Sequence, residues 1–193
     1  MIKEDIEALG VDAASFRFFL AFANEVMDGY GRMLCYLNRN QPKEPPPRPK
    51  SYNERLLAAG HVTPYFIWPN LDPYKRPFPS LVDAVPEPGS PVPAAAPPEA
   101  TQLLQEARAS VRAARENHLG VFEQQDPLRL YPFELRYLAR RKPPDRWVID
   151  LGAGDDVIHR PQEYPSIAEP ENRLFVPAEY VPLFESKGWQ AAA

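Results

Sequence analysis

The sequence predicts an α+β chain, and three patterns carry that expectation. Two short runs keep the strand period of two. In the first, Phe16, Phe18, Leu20 and Phe22 alternate with Arg17, Phe19 and Ala21; the second is RMLCYLN, residues 32–38. A longer run, residues 99–119, keeps the helical period, with Leu104, Ala107, Val111, Ala114 and His118 at three- and four-residue spacing and Gly120 as its stop. Near the C-terminal end, WVIDL and DVIH flank Gly152-Ala153-Gly154-Asp155, which predicts a tight β-hairpin.

The remaining elements follow in chain order. Residues 3–9 predict a short helix with Ile2, Ile6 and Leu9 on one side and Gly10 as its end. Asp28-Gly29 lies between the two strand runs and suggests that they pair as a hairpin. The stretch PKEPPPRP, residues 42–49, carries five prolines without donor N–H groups, so it reads as an extended surface loop. Ser51 with Glu54 three residues later forms a reciprocal capping box, and Gly60 closes the helix that it opens, with Leu56 and Leu57 as the buried stripe. TPYFIW, residues 63–68, is a short aromatic extended run. Residues 71–98 form a second proline-rich tract with the physics of a mobile linker. Pro132 opens another short helix over 132–141. The tail RLFVPAEYVPLFESKGW alternates apolar patches with prolines and should pack on a core.

Bulk properties narrow the function classes. The chain has 193 residues, a net charge of −4 and 25 prolines. No global basic field gathers nucleic acid, so any such contact needs a local patch. No apolar run approaches the ~20 residues of a membrane span, so no membrane partner is expected. The N-terminal segment lacks the apolar core of a signal peptide, and the lone Cys35 does not decide the compartment.

Trp147 to Asp156, WVIDLGAGDD, is the first candidate for a cofactor loop, because an apolar run ending in D-x-G-x-G is how S-adenosylmethionine is held in methyltransferases. Its neighbours argue against that reading. The third glycine position is Asp156, a strand-like run follows instead of a helix, and too little chain remains for a doubly wound sheet. Asp150, Asp155 and Asp156 read as turn formers, since three carboxylates on a hairpin do not supply the six or more oxygens that calcium takes. His61, His118 and His159 are scattered without metal spacing, and Cys35 alternates with Met33 and Leu37 as a core residue. Arg136, Arg140, Arg141, Lys142 and Arg146 form the one basic cluster, interleaved with Tyr131, Phe133 and Tyr137. Such a set can grip single-stranded nucleic acid, although a solvated helix face over core aromatics explains it as well and is the reading preferred from sequence.

The middle of the chain resembles the staphylococcal-nuclease-like (thermonuclease) family. The matching pieces are Tyr30-Gly31-Arg32 with the strand to Leu37, Asn53-Glu54-Arg55-Leu56-Leu57 with Gly60-His61-Val62, Tyr65 through Pro69-Asn70, and the alanine- and arginine-rich helix ending in Gly120-Val121-Phe122. The resemblance spans roughly residues 3–125 and is interrupted by both proline tracts. It implies an OB-type β-barrel with packed helices, here incomplete, over 1–125, with 126–193 as an added C-terminal extension. It implies calcium-dependent hydrolysis of phosphodiester bonds in DNA or RNA. Arg32 matches an arginine that neutralises phosphate charge, a role suited to the fixed fork of guanidinium donors. Tyr65 or Trp68 matches an aromatic beside the bound nucleotide; a one-residue spacing difference leaves both open.

The family's two metal aspartates, its second arginine and its water-activating glutamate have no counterparts here, because they precede the first helix. The chain is therefore expected to be inactive as it stands, either a truncated reading of a longer gene or a reduced relative. The partner expected on this reading is nucleic acid. The alternative is a non-catalytic scaffolding module that holds a protein partner through its proline-rich loops.

Overall fold

The computed structural model describes residues 1–27, 31–39, 49–75 and 78–192. They fall into two compact units, Met1–Leu56 and Leu57–Ala193. The expected Asp28-Gly29 turn, Tyr30 and residues 42–48 of the first proline tract lie outside the described residues. The strands make three small sheets, none closed into a barrel among the described residues, so the architecture is mixed α+β.

The first unit opens with helix α1, Ile2–Leu9, ended by Gly10 at φ 61. Strands β1, Phe18–Met27, and β2, Met33–Arg39, pair antiparallel as the sequence suggests, with a register shift between Phe22 and Met27. Phe16 lies outside the strand and is buried, its ring edge-on to Phe18. Helix α2, Tyr52–Ala58, begins at the expected capping box: the Glu54 backbone N–H donates to Ser51 Oγ at 3.2 Å, and the Ser51 N–H donates to Glu54 Oε2 at 2.7 Å. Asn53 ties this helix to β2, accepting from the Leu37 N–H at 2.9 Å and donating to the Cys35 carbonyl at 3.3 Å.

The second unit is built on a three-stranded sheet. Strand β3, Phe66–Ile67, runs parallel to β6, Arg173–Pro177, and β4, Arg146–Asp150, runs antiparallel on its other side. The register aligns Phe66, Leu174 and Ile149 in one row and Ile67, Phe175 and Val148 in the next. Successive rows point to opposite faces. The first row joins a core with Trp68, Leu104, Val111 and Phe184; the second joins a smaller core with Phe133 and Ile167. Both faces of β4 and β6 are therefore covered, which is why RWVID and RLFVP read as continuous apolar runs and not as alternating ones. This core runs across residue 125, where the sequence reading drew its boundary.

Helix α3, Pro98–Glu116, turns Leu104, Val111 and Ala114 into the main core, as its period predicts. It stops earlier than the sequence suggested. His118 is left-handed at φ 54 and exposed, so it is not part of the helical stripe. Helices α4, Pro132–Arg140, and α5, Val181–Ser186, complete the unit, with a short parallel pair of β5, Val157–Ile158, and β7, Gln190–Ala191.

Two expectations are corrected here. The WVIDL/DVIH hairpin is reduced to a single antiparallel bridge between Val148 and His159, because β4 spends its ladder on β6. Gly154 has the positive φ expected of the turn (70°), whereas Gly152 does not; Gly152 is needed for space, since a Cβ there would stand 2.5 Å from Asn172 Nδ2. Nor is the 71–98 tract a loose linker. Leu71, Tyr74, Ala84 and Val85 are buried among its prolines, and its carbonyls are used: Trp68 Nε1 donates to Ala84 O at 3.0 Å and Trp189 Nε1 to Pro86 O at 2.7 Å. Buried aromatic N–H groups need partners, and a chain too proline-rich to pair its own carbonyls supplies them.

Candidate nucleic-acid interface

Tyr65 stands just before β3 and is half-buried. Its ring stacks on Phe133 of α4, with centroids 4.7 Å apart and planes 13° apart, and meets Phe175 of β6 at 4.7 Å. The Arg146 guanidinium lies 6.0 Å from the centre of the same ring, at the outer limit of a cation–π contact. Burial pushes the Tyr65 hydroxyl above its ordinary pKa; the Arg146 charge beside it, and the more distant Arg136, act in the opposite direction.

Helix α4 holds this arrangement in place. Phe133 is its buried anchor, ringed by Tyr131, Tyr137 and Tyr164 at centroid distances of 6.0, 6.4 and 5.6 Å. Glu134 accepts from the Tyr131 backbone N–H and from the Tyr164 hydroxyl. Tyr137 donates its hydroxyl to Asp145. Burial and then these carboxylate bonds push the Tyr164 and Tyr137 hydroxyls well above the usual tyrosine range, so both remain neutral donors at neutral pH. With the two acids engaged this way, Arg136, Arg140, Arg141 and Lys142 stand exposed over 136–142. Exposed cations over a half-buried aromatic ring can pair phosphates and stack a base.

The structure separates the residues nominated from sequence. Trp68 is 0% exposed, its N–H spent on Ala84 and its ring edge-on to Tyr180 and Phe184, so it presents no face to solvent. Tyr65 keeps part of its surface open. Arg32 is exposed at the entry to β2, after Gly31 at φ 75, and belongs to the first unit, whereas Tyr65 and Trp68 belong to the second. The association of Tyr65 with Arg146 was not legible in sequence, because it depends on β3 and β4 flanking the same strand.

Each of the three C-terminal aspartates holds backbone or side-chain donors. Asp150 Oδ1 accepts from Gly152 N at 2.8 Å, Asp155 Oδ1 from Val157 N at 3.2 Å, and Asp156 Oδ2 from Gln190 Nε2 at 2.7 Å. Among the described residues no group of three or more His, Cys, Asp and Glu side chains could hold a metal. The calcium implied by the resemblance therefore finds no fitting donor set among them.

Two ionic clusters escaped the sequence reading. In the first unit, buried Asp5 receives Arg39 Nη1 at 2.8 Å, Arg55 Nη1, and the Tyr52 hydroxyl at 2.6 Å. In the second, Glu171, 0% exposed, accepts from Arg115 Nη2 at 3.0 Å with Arg112 Nε at 3.5 Å, while Arg108 Nη2 donates to Asn172 at 2.7 Å. This set fixes α3 to the turn Pro170–Asn172. An open cleft of about 520 Å³ lies elsewhere on the second unit, with exposed His61, Asp126 and Arg129 and no aromatic ring among its lining residues.

No protein-family model, curated protein or solved structure matches the chain.

Proposed function

We propose that this chain is a thermonuclease-like homologue that binds single-stranded nucleic acid and does not hydrolyse it. The observation that carries the binding reading is the half-buried Tyr65 ring beneath Arg146, beside the exposed basic residues of α4. The β1–β2 hairpin is, on this reading, part of an incomplete OB-type barrel, with Arg32 as the residue retained from the phosphate site. The inactivity rests on the sequence, in which the carboxylates that position metal and water in the family have no counterparts.

Recognition would be sequence-tolerant, because phosphate pairing and stacking on one ring read charge and π-surface and not base edges. The protein-scaffolding alternative draws less support: the 71–98 prolines are built into the core, which leaves no extended ligand there for a partner.

Two measurements test the proposal. Binding of a fluorescent oligonucleotide should weaken in Arg146→Gln and Arg136→Gln. A calcium-supplemented nuclease assay on the purified chain should show no turnover; cleavage abolished by Arg32→Ala would overturn the inactivity.

A further inference from the structure

The β1–β2 hairpin is closed on one side and open on the other. Asn53 takes the Leu37 N–H and the Cys35 carbonyl, so those groups point away from β1 and the outer edge of β2 is occupied by α2. Leu37 and Cys35 oppose Leu20 and Phe22 in the ladder, and Arg39 opposes Phe18. In an antiparallel pair, residues whose groups face outward oppose residues whose groups also face outward. The N–H and C=O groups of Phe18, Leu20 and Phe22 therefore line the free edge of β1, and none of them is hydrogen-bonded to a described residue. The same hairpin exposes apolar side chains: Phe18, Phe19, Leu20, Phe22, Met27 and Met33 are between 37% and 59% exposed. A two-stranded sheet in this condition is marginal in water and invites a further strand.

We propose that this edge is the contact through which two copies of the chain pair, antiparallel, into a four-stranded sheet. A second copy is favoured by the self-complementary charge of β1. Arg17 and Glu25 lie four residues to either side of Ala21. A two-fold axis at Ala21 sets Leu20 of one copy opposite Phe22 of the other, matching outward groups with outward groups. It also sets each Arg17 opposite a Glu25. The six apolar side chains offer on the order of 500 Å² per copy before the strand backbones are counted, against about 800 Å² per side in a standard specific interface.

Sedimentation equilibrium on the full chain, from low to high micromolar concentration, tests the pairing. The expected result is a monomer–dimer equilibrium that Leu20→Lys shifts to monomer, with its far-UV circular dichroism unchanged. Arg17→Glu should weaken the dimer at least fivefold, and the exchange Arg17→Glu with Glu25→Arg should restore it; this pair leaves the apolar residues intact if Leu20→Lys fails to fold. A chain that stays monomeric throughout, a dimer indifferent to Leu20→Lys and to Arg17→Glu, or a monomer that instead captures an added apolar strand peptide would overturn the proposal.

Discussion

At Asp5 a carboxylate only 6% exposed is held by two guanidiniums and a phenol. Burial raises its pKa, but the hydrogen bonds of Arg55 and Tyr52, with the charges of Arg55 and Arg39, outweigh burial and hold the carboxyl below its ordinary 3.8. A depressed folded pKa means that the unfolded chain takes the proton first on acidification. The stabilisation is therefore complete above about 3.8 and is lost as pH falls through the lower folded value. Tyr52 titrates the other way. Burial, and then its bond to Asp5, push it up to about 12, so its contribution persists through neutral pH and is lost only as pH rises through that value. Asp5→Ala should destabilise the first unit by about 3 kcal/mol, since it leaves paired guanidiniums without their buried anion. The measurement is a urea titration followed by far-UV circular dichroism, because Trp68, Trp147 and Trp189 all lie in the second unit and their fluorescence does not report the first. Nothing in IKEDIEAL announced this role. The apolar spacing drew attention to Ile2, Ile6 and Leu9, and the partners of Asp5 arrive 34 to 50 residues later in the chain.

Elements whose causes are local were readable from the chain. The Ser51/Glu54 box, the Gly10 stop and the period of α3 each depend on residues within one or two turns, and each forms as expected. The sheet was not readable in the same way, because its strand order joins segments more than a hundred residues apart. Gly60 and Gly120 show the difference. Both read as helix stops, and the structure places them backbone to backbone. Val121 N donates to Gly60 O at 2.8 Å, and a Cβ on Gly120 would stand 2.2 Å from the same oxygen. Gly120 also has φ +54. Gly120→Ala should therefore cost about 2 kcal/mol or more from strain and clash together, seen as a lower urea midpoint by tryptophan fluorescence. Gly10→Ala, which meets nothing within 4 Å, should cost less.

For the molecule as a whole, a net charge of −4 makes any affinity for nucleic acid depend on where the cations sit. The patch over 136–146 concentrates five basic side chains while its two nearest acids, Glu134 and Asp145, are bonded to tyrosines. Its basic–aromatic composition was visible in sequence; the ring it surrounds was named separately, as Tyr65, and only the fold joins them. The direct test of the binding claim is fluorescence anisotropy of a labelled single strand of about 16 nucleotides, titrated with the full chain at several salt concentrations. The account predicts binding whose logarithm falls with log salt at a slope of about −2, as for some three phosphate contacts. It also predicts a loss of about tenfold in Arg146→Gln and in Arg136→Gln. Binding that is absent at low salt, or binding unchanged when both arginines are replaced, would contradict it.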